Sequence, residues 1–184
     1  PYRRQRQMCI RDRIYIGVAG PVRTGKSTFI KRFMELMVLP KLPEGHLKAI
    51  ARDELPQSAA GKTIMTTEPK FIPKEAAEIA LEDGITARVR LVDCVGFMVE
   101  GAAGHEENGE ERLVKTPWYD HEIPMTEAAE LGTRKVICDH STVGIVVTTD
   151  GSVTDIPRSD YLEAEERVIT ELKELGKPFL VVLN

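Results

Sequence analysis

The sequence predicts an α/β protein: a mainly parallel sheet with helices on both faces and one antiparallel hairpin strand. Three observations carry this. Short apolar, β-rich runs alternate with stretches of helical periodicity, the pattern of a parallel sheet crossed by helices. The first run, residues 14–19, leads directly into Gly20-Pro21-Val22-Arg23-Thr24-Gly25-Lys26-Ser27. Further along, Asp83-Gly84 separates two strand-like runs, and Asp-Gly between apolar runs is the strongest short hairpin signal.

Length and composition set the frame. A chain of 184 residues fits one domain and is long enough to bury ~70% of its unfolded surface, so its core needs no disulfide or structural metal. The 42% hydrophobic and 29% charged content is that of an ordinary globular protein. No run approaches the ~18 apolar residues of a membrane span. Cys9, Cys94 and Cys138 are scattered and odd in number, which suits a reducing compartment better than a disulfide framework or a zinc site.

The net charge of −4 is unevenly spread. Residues 1–13 hold Arg3, Arg4, Arg6, Arg11 and Arg13 against Asp12 and carry +4, which leaves −8 on the other 171 residues. An acidic body argues against nonspecific nucleic-acid binding. The basic head lacks the apolar core of a secretory signal and the character of a transit peptide. Its string RQRQMCIRDR resembles translated adaptor sequence. Residues 1–13 are therefore read as a non-native leader, and 14–184 as the domain, truncated at its C-terminus.

The elements follow in order. Residues 14–19 form a buried strand. Residues 27–38 place Phe29, Ile30, Phe33, Met34 and Met37 at helical spacing, and Pro40 and Pro43 end that helix. Residues 44–59 hold a short helix, and 61–69 are a polar, Thr-rich loop. Strands are expected at 77–81 and 85–92. The Gly- and Glu-rich stretch from Gly96 to about Thr116 reads as mobile. A helix over 125–137, a strand over 143–147, an acidic amphipathic helix over 162–175 and a strand over 179–183 complete the chain. No internal repeat is present.

Residues 20–27 match G-x-x-x-x-G-K-[ST], leave a strand and enter a helix, the context that the phosphate-loop chemistry requires. Glycines let backbone N–H groups face phosphates, and the helix N-terminus adds partial positive charge. Gly20, Arg23, Thr24, Gly25, Lys26, Ser27 and Thr28 are thus the candidate phosphate-binding residues. Lys26 is placed to reach the β/γ oxygens and Ser27 to ligate Mg²⁺. Together with the hairpin, this indicates a three-layer P-loop NTPase fold of the GTPase-like class.

The run Arg90-Leu91-Val92-Asp93-Cys94-Val95-Gly96 is the second element. A strand ending in Asp sets a carboxylate at the sheet edge, where Asp93 can hold Mg²⁺, and Gly96 can offer its N–H to a γ-phosphate. An Asp at a strand end is also a common cap or turn residue. Thr66 and Thr67 are the third element: a loop threonine between these two motifs can close on Mg²⁺ and γ-phosphate, and Thr67 is the preferred of the two. Where signalling GTPases often carry a water-positioning Gln, this chain has Phe97. Glu100, His105 and Asp120 are alternatives, each with the bland reading of a solvated surface side chain.

These residues, with RDELPQSAAGKTIMTTEPKFIP, TPWYDHEIP, GTRKVICDHSTVGIVVTTDGS and IPRSDYLEAEERVI, resemble the stage IV sporulation protein A family of morphogenetic ATPases of endospore-forming bacteria. The resemblance runs from Ile14 to Asn184. It implies a GTPase-like P-loop domain that hydrolyses ATP with Mg²⁺, with Lys26 the phosphate-loop lysine, Asp93 the acidic strand-end residue and Thr66/Thr67 the sensor threonines. It also implies self-association of the whole protein into a polymer that forms the basement layer of the spore coat. The implied setting is the mother-cell cytoplasm at the forespore surface, with coat proteins and a small amphipathic membrane-bound sporulation protein as partners.

ATP rather than GTP rests on the resemblance alone. The last strand stops at Asn184, the position that opens Asn-Lys-x-Asp in GTPases. A regulatory GTPase and a scaffold stabilised by bound nucleotide are the alternatives, and a small-molecule kinase fits least.

Overall fold

A computed structural model describes residues 13–56, 68–80, 86–102, 106–107 and 110–184. Its centre is a five-stranded sheet in the order β2-β3-β1-β8-β9. The strands are β1 (Arg13–Ala19), β2 (Lys70–Ala80), β3 (Thr86–Asp93), β8 (Val143–Thr148) and β9 (Phe179–Leu183). The pairs β1–β3, β1–β8 and β8–β9 are parallel, and β2–β3 is antiparallel. The mainly parallel sheet with one antiparallel pair is therefore present, as expected.

Helices cover both faces. On one side lie α1 (Lys26–Phe33), which continues through a π turn at Met34–Val38 and a 3₁₀ turn at Leu39–Lys41, and α2 (His46–Asp53). Ile30, Met34 and Val38 from α1 and its continuation pack with Val18, Leu91 and Val147 of the sheet. The other side carries α3 (Met125–Cys138) and α4 (Arg158–Glu174), whose Val136, Tyr161, Val168 and Leu172 pack with Ala19, Val92 and Val146. Strands buried on both faces explain the unbroken apolar runs at β1 and β8. Short strands β4 (Glu106–Glu107), β5 (Glu110–Glu111), β6 (Leu113–Val114) and β7 (Ile123–Pro124) form two small ribbons beside this body.

The structure differs from the expected elements in four places. β2 begins at Lys70, well before residue 77, because the edge of a sheet tolerates Pro73 and the register shift between Ile72 and Ala77. The pairing Ala80↔Thr86 fits a hairpin there, although Asp83-Gly84 itself lies outside the described residues. The helix expected over 27–38 is regular only to Phe33. α4 begins at Arg158 rather than at residue 162: the residues behind Pro157, Arg158-Ser159-Asp160, are polar and hide the helix start, although Tyr161 of that first turn is already buried in the core. Finally, the stretch read as mobile after Gly96 is anchored at its start: Phe97, Val99 and Ala102 are buried in the core. Residues 1–12 and the segment 57–67 are outside the described residues.

Candidate functional site

The C-terminal ends of β1, β3, β8 and β9 share one edge of the sheet, and the loop 20–25 crosses it. This edge is where open parallel sheets bind ligands. Gly20 (φ 137°), Arg23 (φ 62°) and Gly25 (φ 94°) all have positive φ. Left-handed residues alternating with right-handed ones curl a chain so that its amides converge, forming an anion nest. Gly25 then starts α1 with no side-chain cap. The first helical N–H groups have no intrahelical acceptor and carry the positive end of the helix dipole. A polyanion is what such an end accommodates.

The loop is held from two sides. Thr24 Oγ1 donates to Pro21 O at 3.0 Å. From the end of β9, Asn184 Nδ2 donates to Thr24 O at 3.1 Å, and the Asn184 amide donates to Thr148 O. The positive φ of Gly25 favours glycine, and a Cβ there would also press on the Asn184 side-chain amide, 2.7 Å away, and push it off the loop. On the other side, Phe97 N donates to Gly20 O at 3.2 Å and Val22 N to Phe97 O at 2.9 Å. The segment after β3 is thereby zipped to the loop.

Lys26 is 5% exposed, and its Nζ donates to Pro21 O at 2.5 Å. Burial pushes its ammonium below the ordinary lysine value, against the pull of Cys94 and Asp93. Ser27 Oγ donates to Asp93 Oδ2 at 2.7 Å. Asp93 is raised from the ordinary carboxylate value by burial, against the Ser27 hydrogen bond and the Lys26 charge. Its second oxygen, Oδ1, is buried with no hydrogen-bond partner among the described residues.

These residues fit a divalent cation. An orphaned carboxylate oxygen in the interior is costly unless something occupies its lone pairs, and Ser27, whose O–H points at Asp93, keeps its oxygen lone pairs free to accept. Among the described residues no group of three His, Cys, Asp or Glu could hold an ion by protein ligands alone. One carboxylate and one hydroxyl beside an anion nest suit Mg²⁺, which keeps waters and shares its remaining positions with phosphates.

The structure brings Gly20, Arg23, Thr24, Gly25, Lys26, Ser27, Asp93 and Gly96 to this edge. Thr28 lies exposed on the first turn of α1. Thr66, Thr67 and His105 lie outside the described residues. Glu100 and Asp120 are exposed. Phe97 is buried and faces the helices, where the Arg167 guanidinium lies 4.6 Å from its ring centroid. Glu130 holds that guanidinium in two hydrogen bonds of 2.6 and 2.7 Å.

Sequence reasoning singled out Asn184 only as the residue that opens a base-recognition motif and missed its hold on the phosphate loop. Thr133, whose Oγ1 accepts the Gly96 amide at 3.2 Å, gave no local signal, since its partner lies 37 residues away.

Comparison with known proteins gives a consistent result. The family model of the stage IV sporulation protein A ATPase domain matches residues 4–184. Stage IV sporulation protein A of Bacillus subtilis (strain 168) is 63% identical over 171 residues, covering 93% of this chain and 35% of the relative. The proteins of that name from Bacillus anthracis and Clostridioides difficile (strain 630) are 60% and 62% identical over the same length and shares. The chain thus spans about a third of the curated relatives it matches. It belongs to the stage IV sporulation protein A family, of which it carries the ATPase domain.

Proposed function

We propose that the edge built by residues 20–27, Asp93 and Gly96 binds ATP and hydrolyses its γ-phosphate, and that turnover drives self-assembly of the whole protein into the basement layer of a spore coat. The observation that carries the site is the Ser27–Asp93 hydrogen bond beside the buried Lys26. It joins a hydroxyl, a carboxylate with an unpartnered oxygen and a buried cation at one helix N-terminus.

In this reading the loop amides cradle the α- and β-phosphates, and Lys26 leaves Pro21 O for the β/γ oxygens. Ser27 and Asp93 hold Mg²⁺, which when bound neutralises charge developing on the transferring phosphoryl group. Thr66 and Thr67 are the sensor residues, with Thr67 preferred as the metal ligand. They stand shortly before Lys70, which pairs with Asp93 in the sheet. Phe97, buried against the helices, carries no group that could align a water.

Family membership supports the assembly role. The relatives' name places them in sporulation. Among the described residues no helix is long and apolar enough to cross a membrane; attachment at the forespore surface through a small amphipathic membrane-bound partner is assigned from the family resemblance. The cytoplasm of the mother cell is the implied compartment.

The deciding experiment is phosphate release by the purified protein with ATP and GTP side by side, in wild type and Lys26→Ala. ATP turnover that disappears in the variant supports the reading, and filaments by electron microscopy support the assembly step. GTP turnover alone would refute it. Asn184 stands where the guanine-recognition motif of GTPases begins, which is why GTP belongs in the comparison.

A further inference from the structure

We propose that Thr133 is a positioning residue: it holds the Gly96 amide away from the nucleotide, so that α3 competes with a γ-phosphate for that amide. The inference rests on the reading of the site given above.

The geometry is specific. Thr133 is fully buried in α3, and its hydroxyl donates to Ala129 O at 2.8 Å. With the proton committed to its own helix, Oγ1 presents lone pairs outward, and Gly96 N–H fills one of them at 3.2 Å. Gly96 has φ 100°, and a Cβ built on it would stand 2.5 Å from Lys26 Nζ. Lys26 and the helix therefore flank Gly96 on different sides, with the N–H aimed at the helix. For this amide to serve a γ-phosphate, the Val95–Gly96 peptide must rotate and the Thr133 bond must break.

The cost of that break falls only on the triphosphate state. Free protein and diphosphate complex both keep the Gly96–Thr133 bond, because neither offers a competing γ-oxygen. Thr133 thus lowers affinity for ATP without touching ADP. The same helix is tied to the next residue, since Glu130 positions Arg167 over Phe97. Phe97 is in turn bonded to Gly20 and Val22 of the loop. A rotation at Gly96 is thereby coupled to α3 and to the phosphate loop together.

Binding of ADP and of the non-hydrolysable β,γ-imido analogue of ATP to wild type, Thr133→Val and Thr133→Ser tests this. Valine keeps the shape and removes the acceptor, whereas serine keeps the acceptor. Losing one buried hydrogen bond from the competing states should tighten the ATP analogue about 5- to 30-fold in Thr133→Val. ADP affinity should stay unchanged, and Thr133→Ser should behave as wild type. Affinities for both nucleotides that move together, or that do not move at all, would overturn the proposal.

Should Thr133→Val fail to fold, the Gly96 amide resonance of the wild-type protein decides instead. The ATP analogue should displace it and ADP should not, while equal displacement by both would overturn the latch. Wild-type binding of the analogue that survives Lys26→Ala would overturn the site reading itself, and the Thr133 proposal with it.

Discussion

Ser27 and Asp93 meet through a 2.7 Å hydrogen bond that joins the first turn of α1 to the end of β3. The two stand 66 residues apart in sequence, and their meeting leaves Asp93 Oδ1 buried without a partner. Asp93→Asn keeps the shape and removes the charge. Turnover should then need about 10- to 100-fold more Mg²⁺, the loss of one charged ligand contact, with metal-free nucleotide binding little changed. Since burial pushes this carboxylate toward its neutral form, discarding the charge should leave the melting temperature equal or higher. Magnesium titrations of phosphate release and thermal melts check both halves. Wild-type magnesium dependence would reduce Asp93 to a capping residue.

Lys26 supplies the second prediction. Lys26→Met should weaken ATP binding about 10- to 100-fold, the loss of a charge-assisted bond to phosphate. The native protein should also couple binding to protonation. Burial holds the free Lys26 below its ordinary value of 10.5, and a polyphosphate beside it raises that value again. Between the two values, ATP binding takes up a proton. Calorimetry at alkaline pH in two buffers of different ionisation enthalpy measures this uptake. Proton release there, or no linkage, would contradict the assignment.

How far the sequence revealed this architecture varies from element to element. β8 was legible to within a residue because a strand buried on both faces leaves an unbroken apolar run, and β9 was legible from its apolar, β-rich composition although its side chains are largely exposed at the sheet edge. β2 was legible only in its second half, because Pro73 weakens a strand signal that an irregular edge strand tolerates. The phosphate loop was legible because its chemistry is local: one loop and one helix start provide nearly all of it. The contact of Asn184 with the loop and that of Thr133 with Gly96 were not, since each joins residues brought near only by folding. Composition misled at Phe97, where a Gly- and Glu-rich neighbourhood suggested solvent, yet the side chain is buried under Arg167.

The cysteines give a third prediction. Cys94 is buried, its thiol donates to Val18 O at 3.3 Å, and burial raises its pKa from 9.0 to about 11. Only the thiolate is alkylated. In the native protein at pH 8, iodoacetamide should label the exposed Cys138 and spare Cys94, with Cys94 labelling rising toward pH 11. Because the folded thiol holds its proton more tightly, this group's contribution to stability is complete below pH 9 and is lost as pH climbs to about 11. Peptide mapping by mass spectrometry reads the labelling. Equal rates at Cys94 and Cys138 at pH 8 would show that the site edge opens readily.

The final prediction concerns Lys177, which lies between α4 and β9. Its Nζ donates to three main-chain carbonyls, Ile137 O at 2.5 Å, Cys138 O at 2.7 Å and Ser141 O at 2.8 Å. The last carbonyls of a helix lack intrahelical donors and carry its negative end, so a lysine there both satisfies and neutralises them. The contact pins the C-terminus of α3 to the turn before β9, far from the phosphate loop in sequence. Lys177→Met keeps the aliphatic stem and deletes the cation, and should cost about 2 kcal/mol, a charge-assisted bond left unmade at partly buried acceptors. For a domain of this size that lowers the melting temperature by about 4–8 °C. ATP affinity at temperatures well below the transition should not change, because α3 keeps Thr133 and Glu130 on its packed face. Calorimetric melts with a parallel binding titration separate the two. An unchanged melting temperature would mean that water replaces the ammonium without loss.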